Sequence, residues 1–242
     1  MGDFPSFFGV LRSFLDFFSN FLFPWVCPLC GKASEGICGE CLKAMPVCQE
    51  PLCPRCGLPY PSGSPSHLCG PCSEGEYPFS KHRSYGLYQG TLEELIRRFK
   101  YGGQTFLKEA LADLLFCAYM GLGEEVDLVV SVPLSRGRLK ERGFDQSLLL
   151  AKGFARRSAL KLGEGVLEKV KETPPQVGLS GKERRQNLRG AFAVKEPETV
   201  KGKKVLVVDD VFTTGATLSE VSKVLLKAGA KEVFAITVAR SI

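Results

Sequence analysis

The chain has 242 residues, 44% hydrophobic and 24% charged, which describes a soluble globular protein with room for one full core and a smaller module beside it. The net charge of +6 is unevenly placed: residues 1–82 hold 5 Lys+Arg against 7 Asp+Glu, and residues 83–242 hold 27 against 19. Nucleic-acid binding by the N-terminal part alone is therefore disfavoured, and the basic excess that would draw an anion lies in the C-terminal part.

The first 26 residues are rich in Phe and Leu, yet they lack a basic leader and a small-residue cleavage site, so no secretory signal is expected. Asp3, Arg12 and Asp16 flank or interrupt the apolar run, which argues against a membrane span. An amphipathic helix fits better, with Phe7, Leu11, Phe14, Phe18, Phe21 and Leu22 on one stripe. That stripe is expected to dock on the chain itself, on a partner, or on a membrane surface.

Nine of the ten cysteines lie between Cys27 and Cys72, and eight of them make four Cys-x-x-Cys pairs. Cys27/Cys30 and Cys38/Cys41 are seven residues apart; Cys53/Cys56 and Cys69/Cys72 are twelve apart. Each pair offers two thiolates from one tight turn, and two pairs complete a tetrahedral zinc site. Gly after the second thiolate, as in Pro-Leu-Cys-Gly and Pro-Arg-Cys-Gly, relieves the backbone of the turn. A disulfide framework needs an oxidising compartment to which nothing directs the chain, and paired knuckles favour zinc over an iron–sulfur cluster. Two sequential sites, and so two Zn²⁺ ions, are expected, with a cross-braced pairing left open. Cys48 has no partner in this scheme, and Cys117 is expected in the core. About fifty residues cannot build a sufficient core unaided, so the metal acts as a staple, or else the module is a recognition surface.

After a turn-rich loop at 59–65 and a linker at 73–78, Arg83–Gln89 reads as a weak strand, and Thr91–Tyr101 as an amphipathic helix stopped by Gly102-Gly103. Helices are expected over Thr105–Met120 and Gln146–Leu162, and strands over Asp127–Leu134, Gly165–Lys171 and Val233–Val238. Strands alternating with helices imply an α/β fold with a mostly parallel sheet flanked by helices. Two basic segments stand out. Ser135–Arg142 follows a strand end and carries Arg136, Arg138 and Arg142; Gly181–Arg189, read as a loop, carries Lys182, Arg184, Arg185 and Arg189. Both suit a polyanion.

Val205–Val208 is a buried strand that ends in Asp209 and Asp210, and Ala216–Ala228 carries apolar residues at helical spacing. The loop between them, Val211, Phe212, Thr213, Thr214, Gly215, Ala216 and Thr217, therefore lies at the carboxyl edge of a parallel sheet, where such folds bind ligands. Helix N-terminal N–H groups and Thr hydroxyls make a phosphate nest, and Gly215 lets the backbone approach. Two acceptor-only carboxylates beside it suit vicinal ribose hydroxyls or a shared metal ion.

This stretch resembles the phosphoribosyl-pyrophosphate (PRPP) motif of type I phosphoribosyltransferases at every defined position. The resemblance implies that Asp209 and Asp210 hold the ribose, that Val211 to Thr217 cradle the 5′-phosphate, and that the Ser135–Arg142 region holds pyrophosphate. The wider order of motifs is the Cys array, Lys100-Tyr101-Gly102-Gly103, Val132-Pro133-Leu134, Arg142-Gly143-Phe144-Asp145-Gln146 and Gln186 to Phe192, then the PRPP motif. Over nearly the whole chain it resembles the ComF family of bacterial competence proteins (ComFC/GntX-like), many of which have Asn where this chain has Asp145. The resemblance implies a leader (1–26), a double zinc-ribbon module (27–80) and a phosphoribosyltransferase-like domain (81–242). It further implies a cytoplasmic protein, peripheral at the inner membrane if the leader docks there, which binds PRPP with Mg²⁺ and acts on single-stranded DNA during natural transformation. A helicase or membrane-associated competence protein is the expected partner of the leader. An active salvage phosphoribosyltransferase is the alternative, although no base-binding segment is recognisable.

Overall fold

The computed structural model describes residues 26–34, 36–173 and 181–242. The leader helix expected over residues 1–26 lies, except for Val26, outside the described residues. The chain forms two compact units, Met1–Ala44 and Met45–Ile242. In the first, Val26 and Ala33 bridge antiparallel around the Cys27–Cys30 turn, and helix α1 (Gly39–Lys43) begins directly after Cys38. The second unit opens on the same plan, with Leu52 bridged to Pro59 around Cys53–Cys56 and helix α2 (Gly70–Ser73) beginning after Cys69.

The remaining elements of that unit follow in chain order. They are β1 (Lys81–Leu87), α3 (Gly90–Tyr101), a 3₁₀ turn (Thr105–Leu107), α4 (Lys108–Leu122), β2 (Leu128–Ser131), α5 (Arg136–Arg142) and α6 (Gln146–Ser158). Then come β3 (Leu167–Lys169), α7 (Gly181–Leu188), β4 (Phe192–Val194), α8 (Pro197–Val200), β5 (Lys204–Phe212), α9 (Ala216–Lys227) and β6 (Glu232–Arg240). The main sheet runs β1-β6-β5-β2, parallel throughout. Val205 and Val207 join a core with Leu218, Val221 and Leu225 of α9, and the pleat turns Leu206 and Val208 to the other face, where α4 and α6 pack.

The second ribbon is part of this core. Cys53, Cys56, Cys69 and Cys72 cluster with Tyr77, Phe79, Phe212 and Ala216. Main-chain bonds tie the ribbon to β1: Leu87 N–H donates to the Pro46 carbonyl at 2.7 Å, and His82 N–H to the Arg55 carbonyl at 2.7 Å. Gly86 permits the approach, since a Cβ there would lie 2.6 Å from the Pro46 oxygen.

Four local expectations are corrected. Segment 165–171 yields only the short β3, paired antiparallel with an unforeseen β4 outside the main sheet. The basic run 181–189 is not a loop but contains α7, a helix with little apolar periodicity whose Leu188 alone sits in the core cluster. Strand β2 stops at Ser131, before Pro133, which has no N–H to donate. Cys117 is exposed, because the inward stripe of α4 is Leu111, Leu114, Leu115, Ala118 and Leu122.

Candidate functional site

Strand β5 runs through both carboxylates to Phe212 and then turns through Thr213 and Thr214 into Gly215, whose φ of +72° is left-handed. Asp209 Oδ1 accepts from Ser147 Oγ at 2.8 Å and from the Asp210 N–H at 2.9 Å. Asp210 Oδ1 pairs with Lys100 Nζ at 2.8 Å, with both side chains largely buried. Its other oxygen, Oδ2, is buried with no hydrogen-bond partner. Burial and the neighbouring Asp210 push the Asp209 carboxyl up to about 7. Burial opposes the charge on Lys100, but Asp210 outweighs it and raises the lysine's pKa.

The α9 N-terminus is built to receive an anion. Its N-cap is glycine, no side chain caps it, and its first-turn N–H groups have no intrahelical acceptor. Thr214 Oγ1 is buried without a partner. Gly215 is required twice over: by its φ, and because a Cβ would lie 2.6 Å from Tyr77 Cε1 and 2.7 Å from Phe212 Cζ.

Behind this loop stands a platform shared with the second ribbon. The His82 ring stacks on Phe212 at 4.4 Å, and the Arg240 guanidinium lies 5.1 Å from the same ring. His82 Nδ1–H donates to the Cys56 carbonyl at 2.9 Å, as does Arg240 Nη1 at 2.7 Å. Burial drives His82 down to about 3, so at neutral pH it is an uncharged donor.

The string from Arg142 to Gln146 resolves into separate tasks. Arg142 lies 5.0 Å over the Tyr101 ring and donates from Nη2 to its hydroxyl at 3.3 Å. Gly143, left-handed at φ +77°, ends α5. Phe144 packs on Phe99 with centroids 5.6 Å apart. Asp145 caps α6 through the Leu148 N–H at 2.9 Å and also accepts from the Leu134 N–H at 3.3 Å, which fixes the loop after β2. Gln146 keeps a buried, unpartnered Oε1 at the cleft.

Tyr101, Arg142, Gln146 and Ser147 line one open cleft of about 400 Å³ with the acidic pair, whereas Thr214, Gly215, His82 and Asp145 lie off its lining. Asp209, Asp210, Val211, Thr213 and Thr217 reach it, while Phe212 and Ala216 belong to the core beneath. Of the basic residues, Arg138, Arg142 and Arg184 line it. Arg185 instead pairs with Glu76 at 3.0 Å, Arg136 and Arg189 are exposed away from the lining, and the Lys182 side chain lies outside those described. Sequence reasoning assigned no role to Lys100, Ser147, Tyr88 or Lys169, which also line the cleft. Lys100 and Gln146 stood inside recognised strings, but nothing in the strings said which way either side chain would turn.

Two family models match: a double zinc ribbon domain over residues 18–73 and a phosphoribosyl transferase domain over residues 145–241. Competence protein F of Haemophilus influenzae is 36% identical over 210 residues, covering 83% of this chain and 89% of its own. The chain belongs to the ComF family. This ComF chain is also 35% identical over 215 residues to the DNA utilization protein YhgH of Salmonella typhi, covering 86% and 92% of the two chains. Competence protein ComFC of Streptococcus pneumoniae is 31% identical over 199 residues, covering 81% and 84%. Among solved structures, a glutamine PRPP amidotransferase from B. subtilis complexed with ADP and GMP is similar at 25% identity and a TM-score of 0.35, over 55% of this chain and 26% of that one. The fold is a phosphoribosyltransferase-like parallel sheet flanked by helices, with a double zinc ribbon before it.

The ribbon cysteines of the chain fit zinc in sequential pairs. Cys27, Cys30, Cys38 and Cys41 gather in one cluster and Cys53, Cys56, Cys69 and Cys72 in the other, the sulfurs of each lying within 4.8 Å of one another. Zn–S bonds of ~2.3 Å in a tetrahedron place sulfurs roughly 3.8 Å apart. Cys30–Cys38 at 3.6 Å and Cys56–Cys69 at 3.5 Å agree. Gly31 and Gly57 are left-handed, at φ +75° and +67°, and Cys69 N–H points at Cys53 Sγ at 3.5 Å, as a charged thiolate requires. Cys48 stands outside both clusters, its thiol pushed up to about 11 by burial. Among the described residues no helix is long and apolar enough to cross a membrane.

Proposed function

We propose that this ComF chain binds PRPP with Mg²⁺ at the β5–α9 loop and handles single-stranded DNA along the basic cleft beside it. One observation carries the reading: a single strand–loop–helix unit joins two adjacent carboxylates, one of them buried with a vacant acceptor oxygen, to a helix N-terminus that no side chain caps. The ribose hydroxyls donate to Asp209 and Asp210, and the α9 N–H groups with Thr213, Thr214 and Thr217 receive the 5′-phosphate. The orphaned Asp210 Oδ2 suits a hard cation, and Mg²⁺ when bound would neutralise pyrophosphate charge. Arg138 and Arg142 meet the same pyrophosphate as bidentate donors. The names of the relatives, competence and DNA utilization proteins, support a role in DNA uptake, and Arg138, Arg142 and Arg184 supply the charge that a strand's phosphates need.

The test is a thermal-shift titration of the zinc-loaded chain. PRPP with Mg²⁺ raises the melting temperature, and Asp209→Ala with Asp210→Ala removes the rise; no rise in the native chain would refute the ligand. Single-stranded DNA binding falls with salt, and Arg138→Ala with Arg184→Ala flattens that dependence by about 0.7 in log–log slope per lost phosphate contact. An unchanged slope would refute the DNA path. Pyrophosphate release in the presence of a base panel would add transferase activity to the binding function.

A further inference from the structure

The two carboxylates at the cleft are accompanied by a cation that belongs to the chain. Lys100 is the last but one residue of α3, and Asp210 lies on β5, so the pair joins elements more than a hundred residues apart. The ammonium sits 2.8 Å from Asp210 Oδ1, with 14% of its own side chain and 8% of the aspartate's exposed. Asp209 stands next to it, and Tyr88 is the further titratable neighbour of the lysine. Water reaches this pair poorly. A carboxylate so little exposed needs a compensating charge beside it. Lys100 is that charge, and its bond leaves the buried Oδ2 of Asp210 without a partner.

A divalent cation would need the same carboxylate. The ammonium and the metal ion therefore compete for Asp210, since a metal seated on Oδ1 and Oδ2 would lie against an ammonium already within hydrogen-bond distance. We infer that Lys100 is a tethered cation which occupies Asp210 in the empty site and must yield it before a divalent cation can bind there. This positioning role rests on the reading of the loop as a sugar-phosphate site. It adds that the metal alone binds poorly, and that only a ligand bringing phosphate oxygens for the released ammonium displaces it.

The probe is Mg²⁺ without PRPP, titrated against the full zinc-loaded chain and followed by thermal shift. The native chain responds weakly. Lys100→Met removes the competitor, and the Mg²⁺ concentration at half-response falls by about tenfold or more, while Lys100→Arg responds like the native chain. A structural lysine would not behave so, because its loss would weaken metal binding. Equal Mg²⁺ response in native and Lys100→Met chains, both with two zinc ions bound, would overturn the inference. Should Lys100→Met fail to fold, ¹³C-methylated lysines in the native chain give the answer. The Lys100 resonance moves when PRPP and Mg²⁺ are added together and stays when Mg²⁺ is added alone; the same signal under all conditions overturns the proposal. The outcomes separate from those of the ligand reading. A native chain indifferent to PRPP, beside a Lys100→Met chain that gains a Mg²⁺ response, discards the ligand and keeps the tethered cation; a PRPP response with no change in Lys100→Met does the reverse.

Discussion

Tyr77 donates its hydroxyl to the carbonyl of Thr214 at 3.3 Å, tying the exit of the second zinc ribbon to the phosphate loop. The ring is held by Phe79, stacked at 5.2 Å, and by the edge of Phe212 at 5.8 Å. Through this contact the ribbon becomes part of the site's support.

Removing the hydroxyl tests that support. Tyr77→Phe keeps the ring contacts and loses one hydrogen bond, about 1 kcal/mol. The melting temperature should fall by about 2–4 °C, and PRPP affinity should fall with it as the loop loses its anchor. Tyr77→Ala also opens a cavity, and the melting temperature should drop by several degrees. Native affinity in Tyr77→Phe would disconnect ribbon from loop.

Gly215→Ala is expected to be far more damaging than its one added methyl suggests. The left-handed backbone costs a non-glycine residue about 1–2 kcal/mol. The new Cβ also meets the Tyr77 and Phe212 rings at 2.6 and 2.7 Å, and both rings are confined by the core. Overpacking of that kind adds about 1–3 kcal/mol. Calorimetry should show the destabilisation and a loss of PRPP response; a variant as stable as the native chain would mean the loop relaxes freely.

Asp209 gives the site a pH dependence whose sign is fixed. Its folded carboxyl titrates at about 7, against about 3.9 in an unfolded chain. The proton is held more tightly in the folded state, so the associated stability is full at low pH and is lost as pH rises through 7. Ligand binding runs the other way, because ribose hydroxyls need the ionised acceptor. PRPP affinity should climb to pH 7 and level off above it, weakening by about tenfold per pH unit below. Asp209→Asn should remove this slope, measured by titration calorimetry from pH 5.5 to 8.5; an identical slope in the variant would assign the titration to another group.

Zinc removal should reach the sheet itself. Cys53, Cys56, Cys69 and Cys72 sit in the same core cluster as Phe212 and Ala216. Cys53→Ser, or stripping by a chelator, should lower the melting temperature of the unit that carries the cleft and reduce its PRPP response together. Loss of zinc from that cluster with an unchanged melt would make the metal incidental to the core.

Much of this was legible in the chain. Cys-x-x-Cys spacing is local, so the identity of the ligands follows from how few residues separate them, whereas the choice of sequential over cross-braced pairing came from the fold. The β5–α9 unit was equally plain, because a run of four apolar residues, two carboxylates and a Thr-Gly turn constrain one another within thirteen positions. Segments without periodicity were not: α7 presents a polar face nearly all round, and β3 and β4 are three residues each, too short for an alternating pattern to register.

The sequence by itself determined what is held by near neighbours: the knuckles, the acidic pair, the glycine that the loop demands, and the family. Only the tertiary structure decided which distant side chains complete the site. Lys100 meets Asp210, Ser147 meets Asp209, and Tyr77 meets Thr214 across long stretches of chain. Arg138 and Arg184 turn to the cleft while Arg185 turns to Glu76. Such contacts depend on sheet order and helix rotation, which the packing of buried faces sets, and a basic residue on a polar segment carries no mark of the direction it will take.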